Sequence, residues 1–241
     1  MELIVKPSPF DTAKAFAAHF YELSEKVKEK EKKFTVALSG GSTPKILFEI
    51  LAREFTDIID WSNILFFWGD DRMVPVESEE SNYGEAKRIL FDKIKIPPEN
   101  IIPVNGINAP TDEVKVYAKK IKDLVSIPSG NIFFDMMLLG MGDDGHTASI
   151  FPNQIDLFFA SETCVIAEHP VSGQKRISVT GKIINQSAQV VFLITGKNKA
   201  EILSQIIQRT GDYKKYPSAL VNPLSGDLVF FLDEAAAGKL K

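Results

Sequence analysis

Five stretches of the chain are apolar almost without interruption: "FTVAL" (Phe34 to Leu38), "ILFFW" (Ile64 to Trp68), Phe133 to Leu139, Val190 to Thr195 and "LVFFL" near the carboxyl end. A strand with one wet face alternates apolar and polar residues. These stretches do not alternate, so each needs cover on both faces. Between several of them lie segments with helical periodicity. The two patterns together imply an α/β fold of three layers, a doubly wound, mostly parallel sheet with helices on both faces. No linker, low-complexity tract or internal repeat divides the 241 residues, and one domain over 1–241 is expected.

The helices can be placed from their stripes and caps. After Asp11, read as an N-cap, Phe16, Phe20, Leu23 and Val27 form one apolar stripe, and "EKVKEKEKK" is its solvated end. Thr43 can cap, and Pro44 can open, a helix carrying Ile46, Leu47, Ile50 and Leu51. Asn82 with Glu85 has capping-box spacing. Further helices are expected over Asp112–Leu124 and from Asn198 to about Ile207, with additional strands at "CVIAE" and "RISVT".

Charge and cysteine content narrow the function. A net charge of -4 gives no electrostatic footprint for nucleic acid, which is not expected as a partner. Cys164 is the only cysteine, so no intrachain disulfide can form and a reducing compartment suits the chain. No signal peptide is evident and no segment reaches 18 uninterrupted apolar residues. A cytoplasmic protein without membrane contact is expected.

The stretch "MMLLGMGDDGHTASIFP" (Met136 to Pro152) nearly matches two nucleotide loops. As a dinucleotide fingerprint it fails because Pro152 arrives within two turns of the glycines, leaving no helix to receive a pyrophosphate. As a phosphate loop it has His146 in place of lysine, and Asp143 and Asp144 would repel phosphates. Carboxylates beside an imidazole instead suit a general base, because they orient the ring and stabilise its protonated form. The plain alternative is a tight turn carrying solvated aspartates and a surface histidine.

Other loops bear on that choice. "SGGSTP", "GDDR", "GMGDDGH" and "GKNKA" each follow an apolar strand, and in a parallel sheet such loops gather at the carboxyl edge where ligands bind. Gly40, Gly41, Ser42 and Thr43 at a helix start suit a phosphate, and Arg72, Arg176 and Lys199 can add positive charge. Taken singly, each has a bland reading as a turn, a surface ion pair or an edge residue. Three scattered histidines and one cysteine offer no metal-ligand spacing, and neither metal nor cofactor is expected.

The blocks "LSGGSTP", "WGDDRMVP" with "SNYG", "LLGMGDDGHTASIFP", "KRISVT" and "TGKNKA" come in order and span most of the chain. Together they resemble the 6-phosphogluconolactonases. The resemblance implies a metal-independent hydrolase that opens 6-phospho-D-glucono-1,5-lactone, on a fold shared with glucosamine-6-phosphate deaminases. It implies His146 as general base and Asp144 as its acidic partner. Arg72 would meet the substrate or its developing oxyanion, with Gly40, Gly41, Ser42, Thr43, Arg176 and Lys199 at the phosphate end. One departure is Asp71, where Glu is expected between Asp70 and Arg72. Ser149 could share a face with His146, but no G-x-S-x-G elbow is present, and packing or hydrogen bonding is its expected role. The rival deaminases resemble "GHIAFNEP" at the histidine, so their glutamate falls at Phe151, which cannot carry a proton. A non-catalytic sugar-phosphate sensor is the other alternative, but no basic recognition helix is visible.

Overall fold

The structure, a computed structural model, describes residues 1–125 and 134–240. The chain forms β1 (Glu2–Lys6), α1 (Pro9–Lys28), β2 (Phe34–Leu38), α2 (Ser42–Glu54), β3 (Ile64–Trp68), β4 (Asp70–Arg72), α3 (Asn82–Ile89) and α4 (Pro110–Val125). It continues through β5 (Met136–Leu139), β6 (Cys164–Glu168), β7 (Lys175–Val179), α5 (Gly181–Gln186), β8 (Gln189–Ile194), α6 (Ala200–Gln208), β9 (Leu228–Asp233) and α7 (Glu234–Ala237). Short 3-10 turns fill several connections.

Six strands make one fully parallel sheet in the order β1-β9-β8-β5-β2-β3. Successive residues of the buried strands feed opposite cores, as a period of two requires. Val36, Phe66, Trp68, Met136 and Leu138 pack with Phe16, Phe20, Phe48 and Leu51 from α1 and α2, and with Ala86 from α3. Ala37, Phe67, Met137, Leu139 and Phe192 pack on the other side with Tyr117 and Ile121 of α4, Ile183 and Ile184 of α5 and Leu203 of α6. The three-layer α/β arrangement expected from the uninterrupted apolar runs is the one observed.

Several local expectations are corrected. Ser8, not Asp11, caps α1: its hydroxyl accepts from the Asp11 N–H at 3.1 Å, and Pro9 opens the helix. The α2 helix starts at Ser42 after Gly41 without a side-chain cap, and Thr43 bonds Thr195 instead, hydroxyl to hydroxyl at 2.7 Å. Ser81 caps α3 by accepting from the Gly84 N–H at 2.9 Å, while Glu85 turns to Lys45 at 2.6 Å. The α4 helix runs slightly beyond its expected ends. Asp135 interrupts the run expected from Phe133, so β5 starts at Met136; Phe133 lies outside the described residues.

The largest departure is a second sheet of order β4-β7-β6, antiparallel throughout. "GDDR", read as a loop, supplies its three-residue strand β4, too short to show periodicity. Gly69 joins the two sheets, donating to the Leu38 carbonyl and accepting from the Val179 N–H, both at 2.8 Å.

Two polar contacts anchor the sheet, one between β2 and β5 and one at the β3 edge. At the amino end of the β2–β5 pair the Asp135 carboxylate accepts from both the backbone and hydroxyl of Thr35 at 2.9 Å, and Lys32 lies 2.5 Å from its other oxygen. On the outer edge of β3 the buried Tyr117 hydroxyl accepts from the Trp68 N–H at 2.7 Å and donates to the Trp68 carbonyl at 2.8 Å. Tyr117→Phe would leave both backbone groups buried without partners. A loss of about 1–3 kcal/mol is expected in urea unfolding, and an unchanged midpoint would show that the bridge contributes nothing.

Candidate active site

The strand order places the candidate residues. From β2 the chain moves outward to β3, then crosses back past β2 to β5 and on through β8 to β9. The reversal falls between β2 and β5, and at such a switch point the loops leaving the two strands diverge and open a crevice. The loops after β2, β3, β5 and β8 do line one cleft, of about 260 Å³, suited to a small molecule. Gly40, Gly41, Ser42, Arg72, His146, Arg176 and Lys199 all face it. Thr43 stands one step behind, buried, and Thr195 takes its place in the lining. Asp144 lies outside the lining but holds His146.

The loop after β5 is shaped around that histidine. The Gly142 N–H donates to the His146 carbonyl at 2.9 Å, and the Thr147 hydroxyl donates to the Gly140 carbonyl at 2.9 Å. The imidazole folds back across the turn, with Nδ1 2.6 Å from Asp144 Oδ1, which also accepts the His146 backbone N–H at 3.1 Å. A Cβ on Gly142 would sit 2.1 Å from Nδ1, so only glycine permits this fold-back. Burial alone would push the Asp144 carboxyl up, but the hydrogen bond and charge of His146 outweigh it and hold it below the usual range. The carboxylate is an acceptor only, which assigns the Nδ1 proton to the histidine and leaves Nε2 as the basic nitrogen. The buried Phe151 ring backs the imidazole at 4.7 Å between centroids.

Positive charge comes from the small sheet. Arg72 on β4 and Arg176 on β7 are direct cross-strand partners. Arg72 donates to the Glu80 carbonyl at 2.6 Å, and the Arg176 guanidinium carbon lies 5.5 Å from the Phe151 centroid. The Nε of each has no hydrogen-bond partner among the described residues. Two like charges on neighbouring strands, both lining the cleft, make a place for an anion. Lys199 is held at the rim by Asp143, which also accepts from Asn198 Nδ2 at 2.8 Å. Gly41, at φ 112°, turns the chain so that α2 opens onto the cleft.

Several further residues support the site, and two of them, Asp70 and Ser218, have no role legible in the sequence. Asp70 lines the cleft and accepts from the Ser149 hydroxyl at 2.6 Å, with Arg176 Nη1 3.4 Å from the same hydroxyl. Ser149 thus has the hydrogen-bonding role expected of it, with a partner 79 positions away. Asp71 is buried and accepts the backbone N–H groups of Arg72, Asn82 and Tyr83 at 2.8, 2.8 and 3.0 Å, tying β4 to the start of α3. Burial pushes its carboxyl up to about 6 against the pull of those donors. Ser218 holds the histidine loop from behind, donating to the Gly145 carbonyl at 2.8 Å. Nothing local in "YPSAL" signals that role. Among the described residues no group of three or more His, Cys, Asp or Glu side chains is arranged to hold a metal ion, and no helix is long and apolar enough to cross a membrane.

An acid-supported imidazole facing a cationic crevice at a switch point defines an α/β enzyme site for a small anionic substrate. The chain belongs to the family of glucosamine-6-phosphate isomerases and 6-phosphogluconolactonases, whose model matches residues 7–230. It is 46% identical to the 6-phosphogluconolactonase of Haemophilus influenzae over 83% of this chain and 85% of that one. It is 38% identical to that of Treponema pallidum over 84% of each. The solved 6-phosphogluconolactonase of Trypanosoma brucei superposes with a TM-score of 0.89 at 26% identity, covering 100% of this chain and 98% of that one.

Because Gly142 makes room for the imidazole, Gly142→Ala is expected to lower kcat roughly 100-fold, the cost of a ~1 Å misplacement, while the melting temperature moves little. Steady-state kinetics beside a thermal melt checks this. An active variant would mean the ring does not need this position.

Proposed function

We infer that the protein hydrolyses 6-phospho-D-glucono-1,5-lactone to 6-phosphogluconate in the oxidative pentose phosphate pathway, acting in the cytoplasm through one domain over residues 1–241. The observation that carries this reading is the His146–Asp144 pair, which leaves Nε2 as a free base on the wall of a cleft that also holds Arg72, Arg176 and Lys199. The buried, unpaired thiol of Cys164 suits a reducing compartment.

A six-membered lactone is an activated ester, so a positioned water, a base and a cation near the carbonyl suffice for its hydrolysis. Nε2 takes a proton from water as the water oxygen bonds to C1, and the carbonyl electron pair moves onto the oxygen, where Arg72 stabilises the charge. When the pair returns, the bond between C1 and the ring oxygen breaks, and the ring oxygen takes the proton back from Nε2. Water has then been added across the ester, and the new carboxylic acid releases a proton to solvent. Gly40, Gly41 and Ser42 at the start of α2, with Arg176 and Lys199, hold the phosphate, and Thr43 supports that turn from behind through Thr195.

Ser149 is not the nucleophile in this reading, because its hydroxyl proton is directed to Asp70 rather than to a histidine. Deamination is disfavoured by Phe151, an apolar ring buried against His146 where a proton carrier would be needed.

The test is proton release from freshly made lactone, corrected for spontaneous opening. Wild type should accelerate it. His146→Ala should lose about 10²–10⁴-fold in kcat, Asp144→Asn should lose less, and Arg176→Met should chiefly raise KM. No acceleration by wild type would sink the lactonase reading, and ammonia release from glucosamine 6-phosphate would replace it. An active His146→Ala would move the base elsewhere.

A further inference from the structure

The two edges of the six-stranded sheet are treated differently. On β3 the outer backbone groups are covered: Tyr117 satisfies Trp68, and the Ile102 N–H donates to the Phe66 carbonyl at 2.8 Å. On the other side β1 pairs only with β9, and no strand lies beyond it among the described residues. Ile4 packs against the α1 layer, while Leu3 and Val5, on the opposite face, are 40% and 44% exposed. An open edge strand with exposed apolar side chains is a template for another strand.

We propose that the occupant of this edge is a second copy of the chain, joined by antiparallel pairing of β1 with its symmetry mate. The twofold axis of such a dimer is perpendicular to the sheet, so each residue must face one of its own parity. Centring on Leu3 or Val5 leaves Lys6 or Glu2, respectively, beyond the partner strand. Centring on Ile4 pairs all five residues of "ELIVK": Ile4 with Ile4, Leu3 with Val5, and Glu2 with Lys6. The strand is therefore self-complementary in charge and size in the one register that uses its full length. Within the chain neither Glu2 nor Lys6 has a salt bridge or side-chain hydrogen bond among the described residues, so both charges are free for the partner. The dimer would form one continuous twelve-stranded sheet. Its clefts, at the carboxyl ends of β8, β5, β2 and β3, stay clear of the junction.

Sedimentation velocity over a concentration series tests the proposal on four proteins: wild type, Glu2→Lys, Lys6→Glu and the double exchange. Wild type should dimerise. Each single reversal places like charges opposite one another at two symmetric positions and should weaken the dimer by about tenfold or more. The double exchange restores opposite charges and should restore the dimer. Turnover of the lactone should be the same in all four, which also shows that each variant is folded. A wild type that stays monomeric throughout would overturn the proposal. So would single variants that dimerise like wild type, or a double variant that stays as weak as the singles. None of these outcomes bears on the proposed reaction, because the β1 residues lie outside the cleft.

Discussion

The cleft depends on the register of β2 against β5. Val36 faces Met136 and Ala37 faces Met137, and the loops continuing from these two strands carry the cleft-lining Gly40 and Gly41 on one side and His146 on the other. A slip of one residue would send every apolar side chain of β5 to the opposite core and draw the histidine loop along the strand direction by about 3.3 Å. Apolar packing on both faces resists such a slip only weakly, since both cores accept Met or Leu. The directional constraint is Asp135, whose carboxylate meets Thr35 twice and whose N–H donates to the Thr35 carbonyl at 3.0 Å. A buried acid at the amino ends of the strands thereby sets the geometry at their carboxyl ends.

The small antiparallel sheet supplies what the parallel one cannot. Strands buried on both faces carry almost no charge, so cationic groups must come from elsewhere. Arg72 and Arg176 sit at facing positions of β4 and β7, and their repulsion is offset by Asp70 on the same strand as Arg72. Ser149 connects these elements to the histidine loop through one hydroxyl that donates to Asp70 and accepts from Arg176. The preceding residue, Ala148, has φ 48°, in the left-handed region that costs a residue with a Cβ about 1 kcal/mol. Ala148 also lines the cleft, so this strain is located at the site itself.

Much of this was legible in the sequence because burial on both faces is a strong signal. Uninterrupted apolar runs require the parallel sheet, and the polar sequences after four of them point to one edge. The strand order then made those four strands, β8, β5, β2 and β3, direct neighbours. What could not be read depends on pairings distant in sequence. Asp70 and Ser149 are 79 positions apart, and Ser218 reaches Gly145 across 73. The three residues of β4 are too few for a period to appear. The cap errors have a simpler origin: Ser8 and Asp11 are equally good capping residues one helical turn apart, and their side chains bond each other at 2.5 Å.

The cleft is chemically sparse for an enzyme: His146 with Asp144 behind it, Asp70, and the cations Arg72, Arg176 and Lys199. That sparseness matches the demand of the proposed reaction. A deamination must move protons at several positions on one sugar, whereas opening a lactone moves one proton to a base and returns it to the ring oxygen. Phe151 fits this economy. Its ring excludes water behind the imidazole, fixes the ring plane, and offers a face to the Arg176 guanidinium. His169 lies beyond Phe151 at 5.4 Å, and its Nδ1 accepts from the Ser172 N–H at 3.1 Å. Burial and the positive charge of Arg176 hold His169 below the usual histidine range. The cations that share the cleft with His146 are Arg72, Arg176 and Lys199, and their summed field favours an anion on the wall where the imidazole lies.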